Sequence, residues 1–262
     1  MKGKRNETEI LRCKKWIITT LFLIIVVLVI FASITIYIDP FFHYHKPLKK
    51  YDYLLNNERY QNDGIIKNFK YESIITGTSM TENFKKSEAD KIFGTNFIKV
   101  PFSGGHYKEI NDNLERAFDI NKNIKYVIRC LDYSFLVKDK NSYREDVSYP
   151  VYLYNDKWYD DVNYVLNKSI LFEQIRAVIQ WTKEGTGTTS FDDYVNWNSS
   201  YTFGAETVLS TYTLQEIQSP EKQLSDEERD MCLENIRQNV TNLAGKHPET
   251  TFYYFFPPYS IC

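Results

Sequence analysis

The longest hydrophobic pattern in the chain is an unbroken apolar run from Trp16 to Ile38, which contains no charged residue, Asn, Gln, Pro or Gly. A helix rises about 1.5 Å per residue and the hydrocarbon core of a bilayer is about 30 Å thick, so roughly 20 apolar residues suffice to span it. The run therefore predicts a transmembrane helix over residues 16–38. Basic residues are concentrated in the tail before it, 1–15, and such residues stay on the cytoplasmic side of a first span. We expect a single-pass protein of the plasma membrane, with the N-terminus cytoplasmic and the rest of the chain extracytoplasmic.

A cleaved signal peptide is the alternative interpretation of this run. The apolar core of a signal peptide is usually about 7 to 15 residues long and ends at a small-x-small site. Here Ala32 and Ser33 are adjacent, and β-branched and aromatic residues follow them. The pattern therefore favours an uncleaved signal anchor. Aromatic rings that suit the two headgroup layers flank the run, namely Trp16 at one end and Tyr37, Phe41, Phe42 and Tyr44 at the other.

Beyond the span, short apolar runs alternate with amphipathic segments. The runs have the length and composition of strands and lie at 73–76, 97–100, 126–131 and 250–256. Apolar spacing and capping residues predict helices between them, at about 87–94, 110–118 and 225–245. Strands that alternate with helices through short turns indicate a parallel sheet covered by helices. The predicted fold class is α/β, preceded by one N-terminal transmembrane helix.

Two other segments lie outside this alternation. Residues 39–70 are interpreted as a neck between the membrane and one domain over 71–262. Within that domain, residues 137–224 are rich in Tyr, Asn, Asp and Trp and are interpreted as an insertion. Its aromatic rings either line a sugar-binding surface or pack the insertion against the sheet, and packing is favoured because large rings mainly form cores and interfaces. These rings belong to Tyr152, Tyr154, Trp158, Tyr159, Tyr164, Tyr194, Trp197 and Tyr201.

The net charge restricts the partners of the external part. The whole chain has 32 basic and 34 acidic residues, but beyond Ile38 the counts are 26 and 32, a net charge of −6. Nucleic acid and anionic membrane surfaces call for clustered Lys and Arg, so neither is expected as the main partner. A neutral or cationic small molecule and a polysaccharide both remain open.

No pattern of ligating residues predicts a metal site. The four cysteines include no C-x-x-C pair. His43 and His45 lack the third and fourth ligands that a metal site normally has. The sequence thus predicts neither a metal nor a cofactor.

Residues suited to acyl chemistry follow three of the predicted strands. Ser79 ends a Gly-Thr-Ser turn, where backbone N–H groups can face an oxyanion. Gly104 and Gly105 offer a further N–H donor after the second strand, and Asp132 brings a carboxylate after the third. Ligands of α/β sheets bind at the carboxyl ends of the strands, so these groups are expected to meet there.

The order of these motifs resembles the SGNH (GDSL-type) hydrolase superfamily. It is most similar to membrane-anchored envelope members such as the D-alanine transfer protein of teichoic acids and the alginate O-acetyltransferases. The resemblance covers about 71–132 and the last strand. It implies a flavodoxin-like sheet, with Ser79 as nucleophile and Gly104 or Gly105 as oxyanion donor. It also implies an esterase or O-acyltransferase acting on cell-envelope glycan, with that glycan or another membrane protein as partner besides the lipid bilayer.

The chain departs from the superfamily pattern in two places. Asp132 stands where many members have Asn, and a carboxylate there would repel an oxyanion unless it is protonated or turned away. The superfamily takes its base from an Asp-x-x-His near the C-terminus, and this sequence contains none. His106, directly after Gly105, is a candidate base near the nucleophile, whereas His247 is expected at the opposite end of the domain. The base is therefore unassigned.

Two functions from different classes are consistent with these features. The first is a serine esterase or O-acyltransferase that uses Ser79. The second is a catalytically inactive or truncated relative with a binding or structural role at the membrane. Because the chain ends soon after the fourth strand, the domain is expected to be incomplete at its C-terminus.

Overall fold

The computed structural model describes residues 2–202, 204–211 and 223–257. A long N-terminal helix precedes a four-stranded parallel sheet with helices around it, which confirms the predicted α/β class. The helices and strands are α1 (Lys2–Ile38), α2 (Glu58–Asn68), β1 (Ser73–Gly77), α3 (Lys86–Phe93), β2 (Phe97–Pro101), α4 (Tyr107–Ile120), β3 (Tyr126–Cys130), α5 (Val162–Val165), α6 (Ile175–Glu184), α7 (Ala205–Thr211), α8 (Asp226–Ile236), α9 (Asn242–Lys246) and β4 (Thr251–Phe255). Single turns of π-helix cover Ile170–Gln174 and Arg237–Thr241, and 3₁₀ turns cover Ser79–Thr81, Tyr133–Phe135, Val151–Leu153 and Asn198–Ser200.

The strands lie in the order β2-β1-β3-β4, and all three pairings are parallel. Gly77 pairs with Pro101, and Cys130 pairs with Phe255, so the carboxyl ends of all four strands lie at one edge. Every residue of the central strand β1 is buried, as expected for a parallel strand covered on both faces, and so is every residue of the edge strand β2. The four predicted strands are confirmed to within one residue at each end.

The predicted helix signals are also confirmed. Gly94 ends α3 in the left-handed conformation, with φ of 63°. Ser225 begins α8 with a capping box, because its Oγ accepts the Glu228 N–H at 3.1 Å and its own N–H donates to Glu228 Oε2 at 2.8 Å. The apolar face of α4 lies in the core through Ile110, Leu114, Ala117 and Phe118.

Residues 39–70 form part of the domain and not a separate neck. They contain α2 and contribute buried side chains to the main core, including Phe42, Tyr53, Ile65 and Ile66. A Cβ at Gly64 would collide with the carbonyl oxygen of Phe41, so glycine allows α2 to pack closely on the preceding backbone. The apolar pattern missed this packing because α2 is mostly polar and buries Gln61 and Asn62 through hydrogen bonds.

Helix α1 begins at Lys2, so the basic tail is helical too. Its part from Glu9 to Ile38 is long and apolar enough to cross a membrane by length and composition. The helix ends at a turn organised by Asp39, which has φ of 47°. The Asp39 carboxylate accepts three successive backbone N–H groups at 2.8–2.9 Å, from His43, Tyr44 and His45.

The aromatic residues of the insertion divide into two groups. Tyr164 and Tyr194 are fully buried and donate hydrogen bonds to Asp39 Oδ1 at 2.7 Å and Asn62 Oδ1 at 2.9 Å. These rings pack the insertion against the domain, as the favoured interpretation predicts. Others are largely exposed, namely Trp158, Tyr159 and Tyr201. For these, a sugar-binding role stays a prediction.

Candidate active site

A cleft of about 760 Å³ lies at the carboxyl edge of the sheet. Of the five residues singled out from the sequence, it brings together Ser79, Gly104 and His106. Gly105 and Asp132 do not line it. The remaining lining residues are Ser103, Phe135, Lys138, Asp139, Ser142, Arg144, Glu145 and Asp146.

Ser79 begins the 3₁₀ turn that follows β1. Gly77 makes this turn possible, because its φ is 149° and a Cβ there would lie 2.6 Å from the Cβ of Cys130. The Ser79 carbonyl oxygen accepts the Glu82 N–H at 3.2 Å. Within the part of the chain that the structure describes, the hydroxyl and the N–H of Ser79 have no hydrogen-bond partner. Both groups are therefore available to a ligand.

The two glycines after β2 have different roles. The Gly105 N–H donates to the Phe102 carbonyl oxygen at 2.7 Å, so it is used within the turn. The Gly104 N–H has no acceptor among the described residues. Gly104 also has φ of 57°, and a Cβ there would lie 2.6 Å from Arg144 Nη1. Of the two glycines, Gly104 is the one whose N–H is left without an acceptor among the described residues.

Asp132 lies behind the cleft and joins two of the loops. Its buried carboxylate accepts the Thr78 hydroxyl at 3.1 Å and the Ser134 N–H at 3.1 Å. The carboxylate thereby holds the residue next to Ser79 in place.

The His106 ring contacts Ser142, and this contact favours one neutral tautomer. The Ser142 hydroxyl donates its single proton to the Asp139 carbonyl oxygen at 2.7 Å, so it accepts the His106 Nδ1–H at 2.9 Å. Burial lowers the pKa of His106 from its ordinary value of 6.5, which keeps the ring neutral at pH 7. Nε2 has no hydrogen-bond partner among the described residues. His106 lines the same cleft as Ser79, and an unprotonated Nε2 is the form that a general base requires.

The other histidines lie outside this cleft. His247 stacks on Phe118 with ring centroids 3.8 Å apart, and His43 Nε2 lies 3.1 Å from Asp161 Oδ1. In the described ranges, no group of three or more His, Cys, Asp or Glu side chains is placed to hold a metal ion.

No family model, curated protein or solved structure matches the chain. The functional interpretation therefore depends on the residues of this protein alone.

Sequence reasoning missed the two basic residues of the cleft, Lys138 and Arg144. Arg144 Nη1 donates to the Ser103 carbonyl oxygen at 2.8 Å, and its Nε donates to Asp146 Oδ1 at 2.7 Å. The backbone N–H of Arg144 also donates to Glu109 Oε1 at 2.6 Å, and this hydrogen bond fixes the insertion to α4. Arg144 belongs to the irregular insertion, where no periodic pattern predicts its position.

A second cleft of about 600 Å³ lies beside the first and shares Ser103 with it. The Ser103 N–H donates to Glu58 Oε2 at 2.5 Å, and Glu58 Oε1 is buried without an N–H or O–H donor among the described residues. The carboxyl group of Glu82 faces that of Glu58. Burial and the neighbouring Glu58 raise the pKa of Glu82 to about 8, so the two carboxyls share a proton at pH 7.

Lys99 lies behind this pair of carboxyls. Its side chain is fully buried on β2, and its ammonium group donates to the Glu82 carbonyl oxygen. Burial lowers the pKa of Lys99 to about 8. Glu58 and Glu82 were not singled out from the sequence because 24 positions separate them and neither belongs to a recognisable motif.

Proposed function

We propose that this protein is a membrane-anchored, extracytoplasmic SGNH-like esterase or O-acyltransferase that acts on cell-envelope glycan. One observation carries the proposal: the Ser79 hydroxyl, two N–H groups and the His106 Nε2 are all without partners on one cleft at the sheet edge. Native proteins seldom leave several polar groups unpartnered in one place without a ligand or solvent role. A nucleophile, oxyanion donors and a base are the groups that acyl transfer requires.

In the proposed mechanism, the Ser79 Oγ attacks the carbonyl carbon of an acyl ester. His106 Nε2 accepts the hydroxyl proton as the Oγ–C bond forms, and the Ser79 and Gly104 N–H groups stabilise the oxyanion. The imidazolium then gives its proton to the leaving alkoxide. Water or a glycan hydroxyl resolves the acyl-serine, and His106 again accepts the proton. Ser142 keeps the imidazole in the tautomer that these steps need.

The experiment that tests this mechanism is fluorophosphonate labelling of the full-length protein in detergent, with the adduct mapped by mass spectrometry. We expect an adduct on Ser79 that Ser79→Ala removes. Ser103→Ala is the matched control because Ser103 lines the same cleft and is not the proposed nucleophile. An adduct on Ser103, or none on a folded protein, would contradict the proposed mechanism.

A binding role without turnover is the second candidate. It is favoured by the absence of any described hydrogen-bond partner for the Ser79 hydroxyl, since an activated serine is normally bonded to its base. In that case the cleft binds an anionic or ester-bearing glycan through Arg144, Lys138 and the free N–H groups. Calorimetric binding of an acetylated glycan fragment, unchanged by Ser79→Ala and without product formation, would favour this candidate.

The membrane topology is part of the proposal. The basic tail before the span supports a cytoplasmic N-terminus. Cys13 lies in that tail, whereas Cys130 and Cys232 lie in the domain. A membrane-impermeant maleimide added to intact cells should label Cys232 in preference to Cys13, and the reverse preference would contradict the orientation.

A further inference from the structure

The domain flanks the last turns of α1 instead of starting beyond its end. Thr35 is fully buried, and its Oγ1 donates to the Val165 carbonyl oxygen at 3.1 Å. One turn earlier, the rings of Phe31 and Phe172 lie edge to face with centroids 6.4 Å apart. Residues of the insertion thus lie alongside the apolar run of α1.

The positions of these contacts along α1 show how deep the insertion reaches into the proposed bilayer. Phe31 lies seven residues before Ile38, about 10 Å along the helix axis. A bilayer core needs about 20 helical residues, so a core that begins as early as Trp16 still reaches Thr35. With the span placed over residues 16–38, Phe31 therefore lies inside the hydrocarbon core, and Phe172 lies beside it.

The side chains around Phe172 suit a lipid surface. Phe172 is 60% exposed and Val162 is 49% exposed, although both lie next to α1. Lys168 and Arg176 are exposed on either side of Phe172, and Glu173 is exposed beside it, so residues 162–176 carry a net charge of +1. Long basic side chains at this level can extend to phosphate groups while their stems remain in apolar surroundings.

We propose that the exposed surface of residues 162–176, here the membrane-facing segment, docks on the extracytoplasmic leaflet of the bilayer. Phe172 and Val162 enter the outer acyl chains, and Lys168 and Arg176 contact the headgroups. The inference rests on the membrane anchoring proposed above. The domain then has two membrane contacts, α1 and this segment, which fix its orientation and hold the Ser79 cleft at a constant height above the lipid.

Tryptophan quenching in vesicles tests the docking. The four native tryptophans are replaced by Phe, and single tryptophans are restored as Trp16, as Trp197 or through Phe172→Trp. Each full-length protein is reconstituted in phosphatidylcholine vesicles with or without bromine on the upper acyl chain. Trp16 is the positive control at the span, and Trp197 is the negative control because it contacts the Ser79 turn, with its Nε1 3.4 Å from the Ser79 carbonyl oxygen.

We expect the Phe172→Trp protein to lose fluorescence in brominated vesicles as the Trp16 protein does, while the Trp197 protein keeps its intensity. Quenching of Trp16 without quenching of the Phe172→Trp protein would overturn the docking and leave the anchoring intact. No quenching of either protein would overturn the anchoring and the docking together.

Photocrosslinking of the wild-type chain gives a readout that needs no substitution. In vesicles with a diazirine on the acyl chain, we expect lipid adducts on α1 and on the peptide that contains Phe172. The matched control is Ile92 of α3, which is apolar and 75% exposed but has no described contact with α1. Adducts on α1 alone, or equal adducts on the Ile92 peptide, would overturn the proposal.

Discussion

The two clefts on either side of Ser103 differ in what their polar groups contact. In the Ser79 cleft, the nucleophile candidate, two N–H groups and His106 Nε2 have no described partner within the protein. In the Glu58 cleft, the carboxyls of Glu58 and Glu82 face each other, the Ser103 N–H donates to Glu58 Oε2, and the Lys99 ammonium group donates to the backbone carbonyl oxygen of Glu82. One oxygen of this pair, Glu58 Oε1, is also buried without a described partner, so both clefts contain polar groups that the described residues leave unsatisfied. The clefts differ in the kind of group: the first combines a hydroxyl, N–H groups and an imidazole, as the proposed acyl transfer requires, and the second holds two carboxyls.

The largest loss of esterase rate is expected from substitution of His106, and this loss would separate the two clefts in function. His106→Ala removes the proposed base, and general-base catalysis typically contributes about 10²- to 10⁴-fold to a rate. Hydrolysis of an activated acetyl ester should fall by that factor. His247→Ala is the matched control, because His247 stacks on Phe118 outside the cleft and should leave the rate unchanged. Equal effects of the two substitutions would remove the basis for treating the first cleft as catalytic.

Substitution of Asp132 is expected to lower the free energy of unfolding by a smaller amount. The result distinguishes a structural from a chemical role for this side chain at the sheet edge. Asp132→Ala leaves the Thr78 hydroxyl and the Ser134 N–H without their acceptor, and each buried unsatisfied group costs about 1–3 kcal/mol. Asp132→Asn retains an acceptor oxygen and should cost less. Urea unfolding in a non-ionic detergent measures both. A marked rise in esterase rate for Asp132→Asn would show instead that this side chain faces the oxyanion.

These residues show how far the sequence predicts the molecule. The strands, the Gly94 helix end and the Ser225 capping box are local patterns, and each was predictable because neighbouring residues determine it. The Ser79 and Gly104 loops follow from the strand ends. The tautomer of His106 depends on Ser142, 36 positions away in an irregular segment, and no local rule predicts that contact.

Buried polar residues account for most of what the sequence did not predict. Helix α2 has few apolar residues, and its burial depends on partners distant in the chain, such as Glu109 for Arg59 at 3.0 Å. Glu58 and Glu82 meet only because α2 and the Ser79 turn both lie next to β2. The sequence of 170–181 predicts a helix that includes Phe172, but no local pattern places that helix beside α1.

A smaller, pH-dependent change in the free energy of unfolding is expected from Glu82 in the Glu58 cleft. The pKa of Glu82 is raised from 4.5 to about 8 in the folded protein, so between these values the native state holds a proton that the unfolded chain has released. Stability contributed by this group is therefore present at low pH and is lost as pH rises through that window, with no further loss above it.

Glu82→Gln keeps a neutral donor toward Glu58 but does not titrate, so it should flatten this decline. The measurement is the free energy of unfolding at about pH 5 and about pH 9, with Glu88→Gln as the control on the exposed face of α3. An unchanged pH dependence in Glu82→Gln would contradict the shared proton.

The smallest change in the free energy of unfolding is expected from a surface ion pair that lies outside both clefts. Lys246 pairs with Glu115 at 3.0 Å, and both side chains are well exposed. Exposed pairs contribute about 0–1 kcal/mol, so Lys246→Ala should change the free energy of unfolding by no more than that and should leave the esterase rate unaffected. A large effect would show that surface charge, and not the clefts, dominates the measured differences.

The proposal that His106 activates Ser79 is best tested by the pH dependence of fluorophosphonate labelling at Ser79, compared between the wild-type protein and His106→Asn. The base must be neutral, and burial lowers the pKa of His106 below 6.5. We therefore predict that the wild-type rate rises with pH below neutrality and is level by pH 7, while His106→Asn reacts slowly without that rise. Identical profiles for the two proteins, or labelling at another serine, would contradict the claim.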